Sequence, residues 1–282
     1  MATARLAPGV ALVTVPGRGL AVRTPDGEFL RVDTGGVPEA ALLAHLTAGR
    51  APAAGGAAPQ DRSARLAALT EAFEAAGHAV RTPPAPPLAG RTVRILGDAR
   101  LTVPLARYAA EAGAEVEAAD EQGAALRESG DPERTAVVWC LDRPVPPGLW
   151  DAADRALPAR RTGWLRCHRE GATAWLEPLA AGPGDVTAGH IRLRRLAATP
   201  AHRELAAYWE GHRAHGERDF AHTETSAALT AALLTADLIA WAGGAPRTVR
   251  RRLRRLDLRD LTLTGHPVLP VPGVAPLPAE LP

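Results

Sequence analysis

The chain has 282 residues, 46% of them hydrophobic, which suits two domains of ordinary size, each with its own core. The net charge of +2 is too small to imply nucleic acid, and every one of the 33 basic residues is arginine, which excludes Schiff-base lysines and a phosphate-loop lysine together. No apolar run approaches the ~18 residues of a membrane span. The start, "MATARLAPGVALV", lacks the long apolar segment of a signal peptide, so a cytoplasmic protein without a membrane partner is the expectation. Two isolated cysteines, Cys140 and Cys167, make neither a disulfide framework nor a four-thiolate zinc site.

The first ninety residues read as a small α+β module. "GVALVTVPGRGLAVRTPDGEFLRVDTGG" carries three short strands, with turns marked by Pro16-Gly17 and the hairpin dipeptide Asp26-Gly27. A helix follows over Pro38 to Thr47, then the low-complexity stretch Gly49 to Gln60. A second helix, "DRSARLAALTEAFEAAGH", places Leu66, Leu69, Phe73 and Ala76 on one face, with Gly77 as its C-terminal cap. Strands followed by helices predict a winged-helix-like module over residues 1–84. The proline-rich stretch Arg81 to Gly90 marks the boundary, and residues 85–282 form the second domain.

That domain opens with "RTVRILGDARLTVPLARYAAEAGAEVEAAD", which reads as strand, turn, helix, strand. The strand is Val93 to Leu96, and Pro104 marks the first turn of the helix, which ends at Gly113. "TAVVWCL" (Thr135 to Leu141) has the uniform apolarity of a buried parallel strand. The alternation implies βαβ units, hence an α/β fold of degenerate Rossmann type. "TGWLRCHREGATAWLEPL" is a hairpin turning at Glu170-Gly171. "HIRLRRLAATPAHRELAAYWEGHRAHG" is helical, and "TETSAALTAALLTADLIAWAGG" is a long core helix closed by Gly243-Gly244. The tail forms two strands around Arg259-Asp260.

Candidate chemistry is sparse. A dinucleotide loop needs glycines for the tight turn, for backbone approach to phosphate and for helix packing; here Gly97 alone matches, and Asp98 would set a negative charge beside the phosphates. Asp120 ends the second strand, where a ribose-binding acid would sit. His212 and His215 have His-x-x-His spacing, with His222 following, but no third zinc ligand is spaced to complete a site. Cys140 lies in an apolar strand as a core residue, and Cys167 alternates with His168. Seven arginines between Arg247 and Arg259 face Asp257 alone in that stretch. They read as a solvated face paired with acids such as Glu204, the sharper alternative being an anion- or acidic-peptide-binding face. The second helix is apolar and acidic, unlike a DNA-recognition helix, so a nucleic-acid partner is not expected.

The order of these parts, with "WLRCHREGATAWLEPL", "HIRLRRLAAT" and above all "LDLRDLTLTGHPVLPVP" (Leu256 to Pro272), resembles the ThiF-like, ubiquitin-activating-type partner proteins of azole- and azoline-forming peptide clusters. The resemblance covers most of the chain. It implies an N-terminal PqqD-like recognition element that captures a precursor's leader peptide as an added strand. The positions that match are Glu28, Phe29, Leu30, Arg31, Val32 and Asp33 on the third strand and Arg65, Leu66, Leu69 and Phe73 on the second helix. Either Phe29 or Leu30 would line the groove with the helix leucines and Phe73, all of which could equally be ordinary core. Arg31 and Arg65 would hold acidic leader residues.

The departures are informative. Relatives carry a structural zinc on two Cys-x-x-Cys pairs, which would fall at Gly189–Arg192 and Val274–Leu277, where this chain has no cysteine. Adenylating relatives have a glycine-rich loop and a catalytic Arg/Lys set, and here the loop is degraded and lysine is missing. The expectation is therefore a non-catalytic protein, without zinc or ATP, that binds a ribosomal precursor peptide and presents it to a separate YcaO-type cyclodehydratase, with a homodimer implied by relatives that pair. The alternatives are a divergent ATP-dependent adenylating enzyme, with magnesium held by Asp98 or Asp120, and a winged-helix DNA-binding regulator.

Overall fold

The computed structural model describes residues 4–48, 59–82, 84–119, 130–211 and 220–272. They divide into two compact units, 1–85 and 86–282.

In the first unit β2 (Ala11–Val15), β3 (Gly19–Arg23) and β4 (Phe29–Arg31) form an antiparallel meander in that order. The β3–β4 loop is Pro25-Asp26-Gly27: Thr24 N donates to Glu28 O at 2.9 Å, and Gly27 takes φ +92°, the conformation a three-residue hairpin asks of glycine. Helix α1 (Glu39–Ala48) and helix α2 (Pro59–Ala75) follow. Past the end of α2, His78 N reaches Phe73 O at 2.7 Å and Gly77 N reaches Glu74 O at 3.0 Å, with Gly77 at φ +73°, a Schellman termination. The sequence reading missed a two-stranded ribbon of β1 (Arg5–Leu6) and β5 (Ala79–Val80). Its partners lie at opposite ends of the unit, and two-residue strands leave no periodic signal. Leu20, Val22, Leu42, Leu46, Leu66 and Phe73 form the core.

The second unit is built on a seven-stranded mixed sheet. Its parallel part, in spatial order, is β7 (Glu115–Ala118), β6 (Thr92–Gly97), β8 (Thr135–Leu141) and β9 (Gly163–Glu170). From β9 the sheet continues antiparallel through β10 (Thr173–Leu176), β11 (Arg252–Asp257) and β12 (Leu263–Pro267). Side chains alternate between two cores. Val93, Ile95, Val138, Cys140, Leu165 and Cys167 pack toward α3 (Ala99–Glu111) and α7 (Glu224–Ala242). Leu96, Val137, Trp139, Leu141 and Trp164 pack toward α4 (Asp151–Ala159) and the start of α5 (Ala188–Ala197). The result is an α/β/α sandwich, with α6 (His202–Trp209) beside α5 and the one-turn α8 (Arg247–Arg250) leading into β11.

Two local choices differ from the sequence reading or sharpen it. Helix α3 begins at Ala99, so Pro104 lies inside it and not in its first turn. Asp98 O already accepts from Leu101 N and Thr102 N, and burial of Leu101, Leu105 and Ala109 outweighs the ~3 kcal/mol cost of an interior proline. Helix α7 is long and apolar enough to cross a membrane, yet it buries Ala227, Ala231, Leu234, Leu238 and Trp241 in the sandwich and sets Asp237 against Arg254 of β11.

Candidate functional site

Among the described residues strand β4 is paired on one side only, leaving an open sheet edge. The bonds Thr24 N to Glu28 O and Val32 N to Leu20 O, both 2.9 Å, fix its register. They turn the backbone groups of Glu28, Leu30 and Val32 toward β3 and those of Phe29 and Arg31 outward, where a further strand would meet them. Leu30 lies opposite Val22 and Val32 opposite Leu20, so both share the face of the core; Phe29 and Arg31 lie on the other face. Leu30 is 45% exposed and Phe29 61%. Of the two, Leu30 is the residue on the helix side. Asp33 closes the strand by accepting from Gly35 N at 3.0 Å, and Arg65 Nη1 donates to Gly35 O at 3.2 Å. Leu66 and Phe73 are buried in the core and Leu69 is half-buried against it. Glu28, Arg31 and Asp33 are exposed.

The α/β unit has its switch point between β6 and β8, whose neighbours run off in opposite directions; ligands of such sheets bind in the crevice at the strand ends there. Here the chain's own groups bond across that crevice. Asp98 Oδ2 accepts from Asp142 N at 2.6 Å. Asp142 receives Arg169 Nε at 2.6 Å and His222 N at 3.3 Å, and Arg100 donates to His222 O. His222 Nδ1 is 3.1 Å from Ser226 Oγ, and burial lowers its pKa against the opposing pull of Asp142. Gly97 has a steric reason of its own: φ is +108°, and a Cβ would stand 1.8 Å from Cys140 O. Asp120, His212 and His215 lie outside the described residues. Among the described residues no cluster of three or more His, Cys, Asp or Glu is arranged to hold a metal. The two cysteines, isolated in sequence, face each other across β8 and β9 in the core. A hydrogen bond to Cys167 and burial both push the Cys140 thiol up, so little thiolate forms there.

Sequence reasoning missed a polar layer under α4, α5 and α6. Alternation along β9 brings Trp164, Arg166, His168 and Glu170 to one face, and this row is its only sequence signal. Arg166 is fully buried; it pairs with Asp154 and donates to Pro178 O at 3.2 Å and Val186 O at 3.0 Å, while its Nε lies 2.9 Å from Glu177 Oε2. Arg195 lies between the rings of Trp175 (4.0 Å) and Trp209 (5.0 Å) and bonds Glu170 through both terminal nitrogens at 2.9 and 2.5 Å. Burial pushes the Glu170 carboxyl up, but bonds from Arg195 and His168 more than offset it and leave it well below the usual range. Burial wins for Glu177, which is raised.

The arginines of Arg247–Arg259 pair with Asp185, Asp237 and Asp257, and not with Glu204 as expected from sequence. Desolvation raises Asp237 from 3.8 to about 6 despite the charge of Arg254. Between those values the folded chain holds a proton that the unfolded chain has released. This group's contribution is therefore most favourable below about pH 4 and is lost as pH rises through 6. Asp237→Asn is expected to flatten the stability profile in that window, measured by urea unfolding at stepped pH.

At the tail, Arg194 of α5 donates to Leu269 O at 3.2 Å and Pro270 O at 3.3 Å, and Val268 packs with Val186, Ile191 and Leu253. Gly189–Arg192 lies in the first turns of α5; Val274–Leu277 lies outside the described residues.

No family model and no curated protein matches the sequence. Solved structures do match in fold. The heterocyclase TruD aligns over 96% of this chain at TM-score 0.64 and 14% identity, and this chain spans 42% of the TruD chain. The E. coli microcin synthetase McbBCD complex with pro-MccB17 bound aligns over 96% of this chain and 98% of the matched one, at TM-score 0.52 and 13% identity. E. coli MccB with ATP aligns over 97% and 98%, at TM-score 0.53 and 12% identity. The chain therefore shares the mixed α/β fold of these structures and spans about two fifths of the heterocyclase chain.

Proposed function

We propose that the chain is a leader-peptide-binding partner protein in azoline formation on a ribosomal peptide. The N-terminal unit would act as a winged-helix-like, PqqD-like recognition element, taking the leader as an extra strand on the outer edge of β4. Phe29 and Arg31 would supply the backbone bonds, Leu30 the helix-side apolar contact, and Arg31 and Arg65 the attraction for acidic leader residues. Leu66, Leu69 and Phe73 would support the groove from behind. A separate YcaO-type cyclodehydratase would carry out the ATP-dependent chemistry, and this chain would raise the effective concentration of the core peptide and fix its orientation. The single observation that carries the reading is the open, register-defined edge of β4.

One observation favours a second reading, an adenylating enzyme: the fold matches MccB solved with ATP at full length. Against it stand the single glycine of the β6–α3 turn and the bonds that Asp98, Asp142, Arg169 and His222 make to one another across the crevice. ATP–pyrophosphate exchange separates the two, and none is expected here.

The binding test is fluorescence anisotropy with a labelled leader from a precursor encoded beside the gene. Leu30→Glu is expected to weaken binding about tenfold or more with an unchanged unfolding midpoint, because Leu30 is already half exposed. Phe29→Glu, on the opposite face, should weaken it less. Equal affinity for Leu30→Glu and the parent would sink the groove assignment.

A further inference from the structure

The polar layer beneath α4–α6 holds a small, partly open cavity of about 20 Å³, lined in part by Trp150, His168, Glu177, Ala188 and Arg192. Three polar atoms of its lining residues have no hydrogen-bond partner in the protein, Trp150 Nε1, His168 Nδ1 and Glu177 Oε2, on residues only 2%, 5% and 3% exposed. His168 Nε2 stands 3.2 Å from Glu170 Oε1. A carboxylate only accepts, so in the neutral imidazole Nε2 carries the hydrogen and Nδ1 is left an acceptor in need of a donor. The acid nearest to it, Glu177 Oε1, is 3.8 Å away and is itself an acceptor. Trp150 Nε1–H, by contrast, needs an acceptor.

The guest that meets these demands must accept once and donate twice. The space exceeds the ~10–15 Å³ needed for one water. The charged groups of the layer, Arg166, Arg192 and Arg195 against Asp154, Glu170 and Glu177, balance, which argues against an ionic guest. We propose that the cavity is the site of one structural water, which accepts from Trp150 Nε1–H and donates to His168 Nδ1 and to the Glu177 carboxylate. This water completes a chain from Glu177 through His168 and Glu170 to Arg195 and Trp209, and so ties β9 to α5 and α6 while fixing the His168 ring. Three bonds are the usual complement of a buried water.

A high-resolution crystal structure of the full chain, with a second crystal soaked in bromide, tests this. The expected result is one density peak within ~2.6–3.2 Å of Trp150 Nε1, His168 Nδ1 and Glu177, without an anomalous signal after soaking. The Trp150→Phe variant, which removes the N–H, should show that peak weakened or displaced. A site without density where other buried waters are visible, or an anomalous bromide peak, would overturn the proposal. If Trp150→Phe does not fold, the parent crystals alone decide.

Discussion

Gly97→Ala is expected to unfold the α/β unit or to cost it more than about 4 kcal/mol, the range reserved for severe backbone conflicts. A Cβ there would meet Cys140 O at 1.8 Å and Cys140 C at 2.8 Å, which are backbone atoms of β8 with no rotamer to yield. The residue also holds φ at +108°, a region closed to side-chain-bearing residues. Relief would require β6 to part from β8, with which it is paired along its whole length. Gly17→Ala is the control: φ is +70° and nothing lies within 4 Å of its Cβ, so a loss of about 1 kcal/mol is expected. Urea unfolding followed by circular dichroism reads both. A small loss for Gly97→Ala would show that the β6–α3 turn is not built as described, and would reopen the glycine's assignment to a ligand loop.

Arg166→Met carries the second largest expected effect, a loss of about 3–5 kcal/mol. The side chain is wholly buried, and its removal strands Asp154 and Glu177 without their countercharge and frees two carbonyls, Pro178 O and Val186 O. The two acids differ in what remains to them. Asp154 keeps bonds from Trp164 Nε1 at 2.8 Å and Ala188 N at 2.7 Å, whereas Glu177 Oε2 has no hydrogen-bond partner. The double variant Arg166→Met, Glu177→Gln should therefore recover much of the loss, and Arg166→Met, Asp154→Asn should recover less. Equal recovery by both would contradict this division of roles.

How much of this was legible in the sequence depends on the range of the interaction involved. The all-apolar β8, the hairpin of β9 and β10 with its Gly171 turn, the Ala-rich α7 and the β11–β12 pair were all readable, because each is specified by neighbours in the chain. The partners of the arginine run were not, because Asp185 and Asp237 meet Arg250 and Arg254 only through the packing of the sheet. The ribbon of β1 and β5 was hidden for the same reason. Within the candidate site, helical spacing found Leu66, Leu69 and Phe73 but could not tell core from groove, since both need the same apolar face. The register of β3 and β4 separates Leu30 from Phe29, and register depends on a loop one residue longer than the Asp26-Gly27 dipeptide alone suggests. The β9 row of Arg166, His168 and Glu170 could have been flagged as a polar stripe on a buried strand; its meaning needed Asp154, Glu177 and Arg195 from three other segments.

A leader peptide added to the free edge of β4 would cover the outward amides of that strand. Amide hydrogen exchange followed by NMR, with and without the unlabelled leader peptide, reads that edge residue by residue. On binding, the amides of Phe29 and Arg31, which point outward, are expected to become protected, while Val32, already bonded to Leu20 O, changes little. Unchanged exchange at Phe29 and Arg31, with protection appearing instead at Asp98–Leu101 of the crevice, would contradict strand addition and move the peptide to the α/β unit.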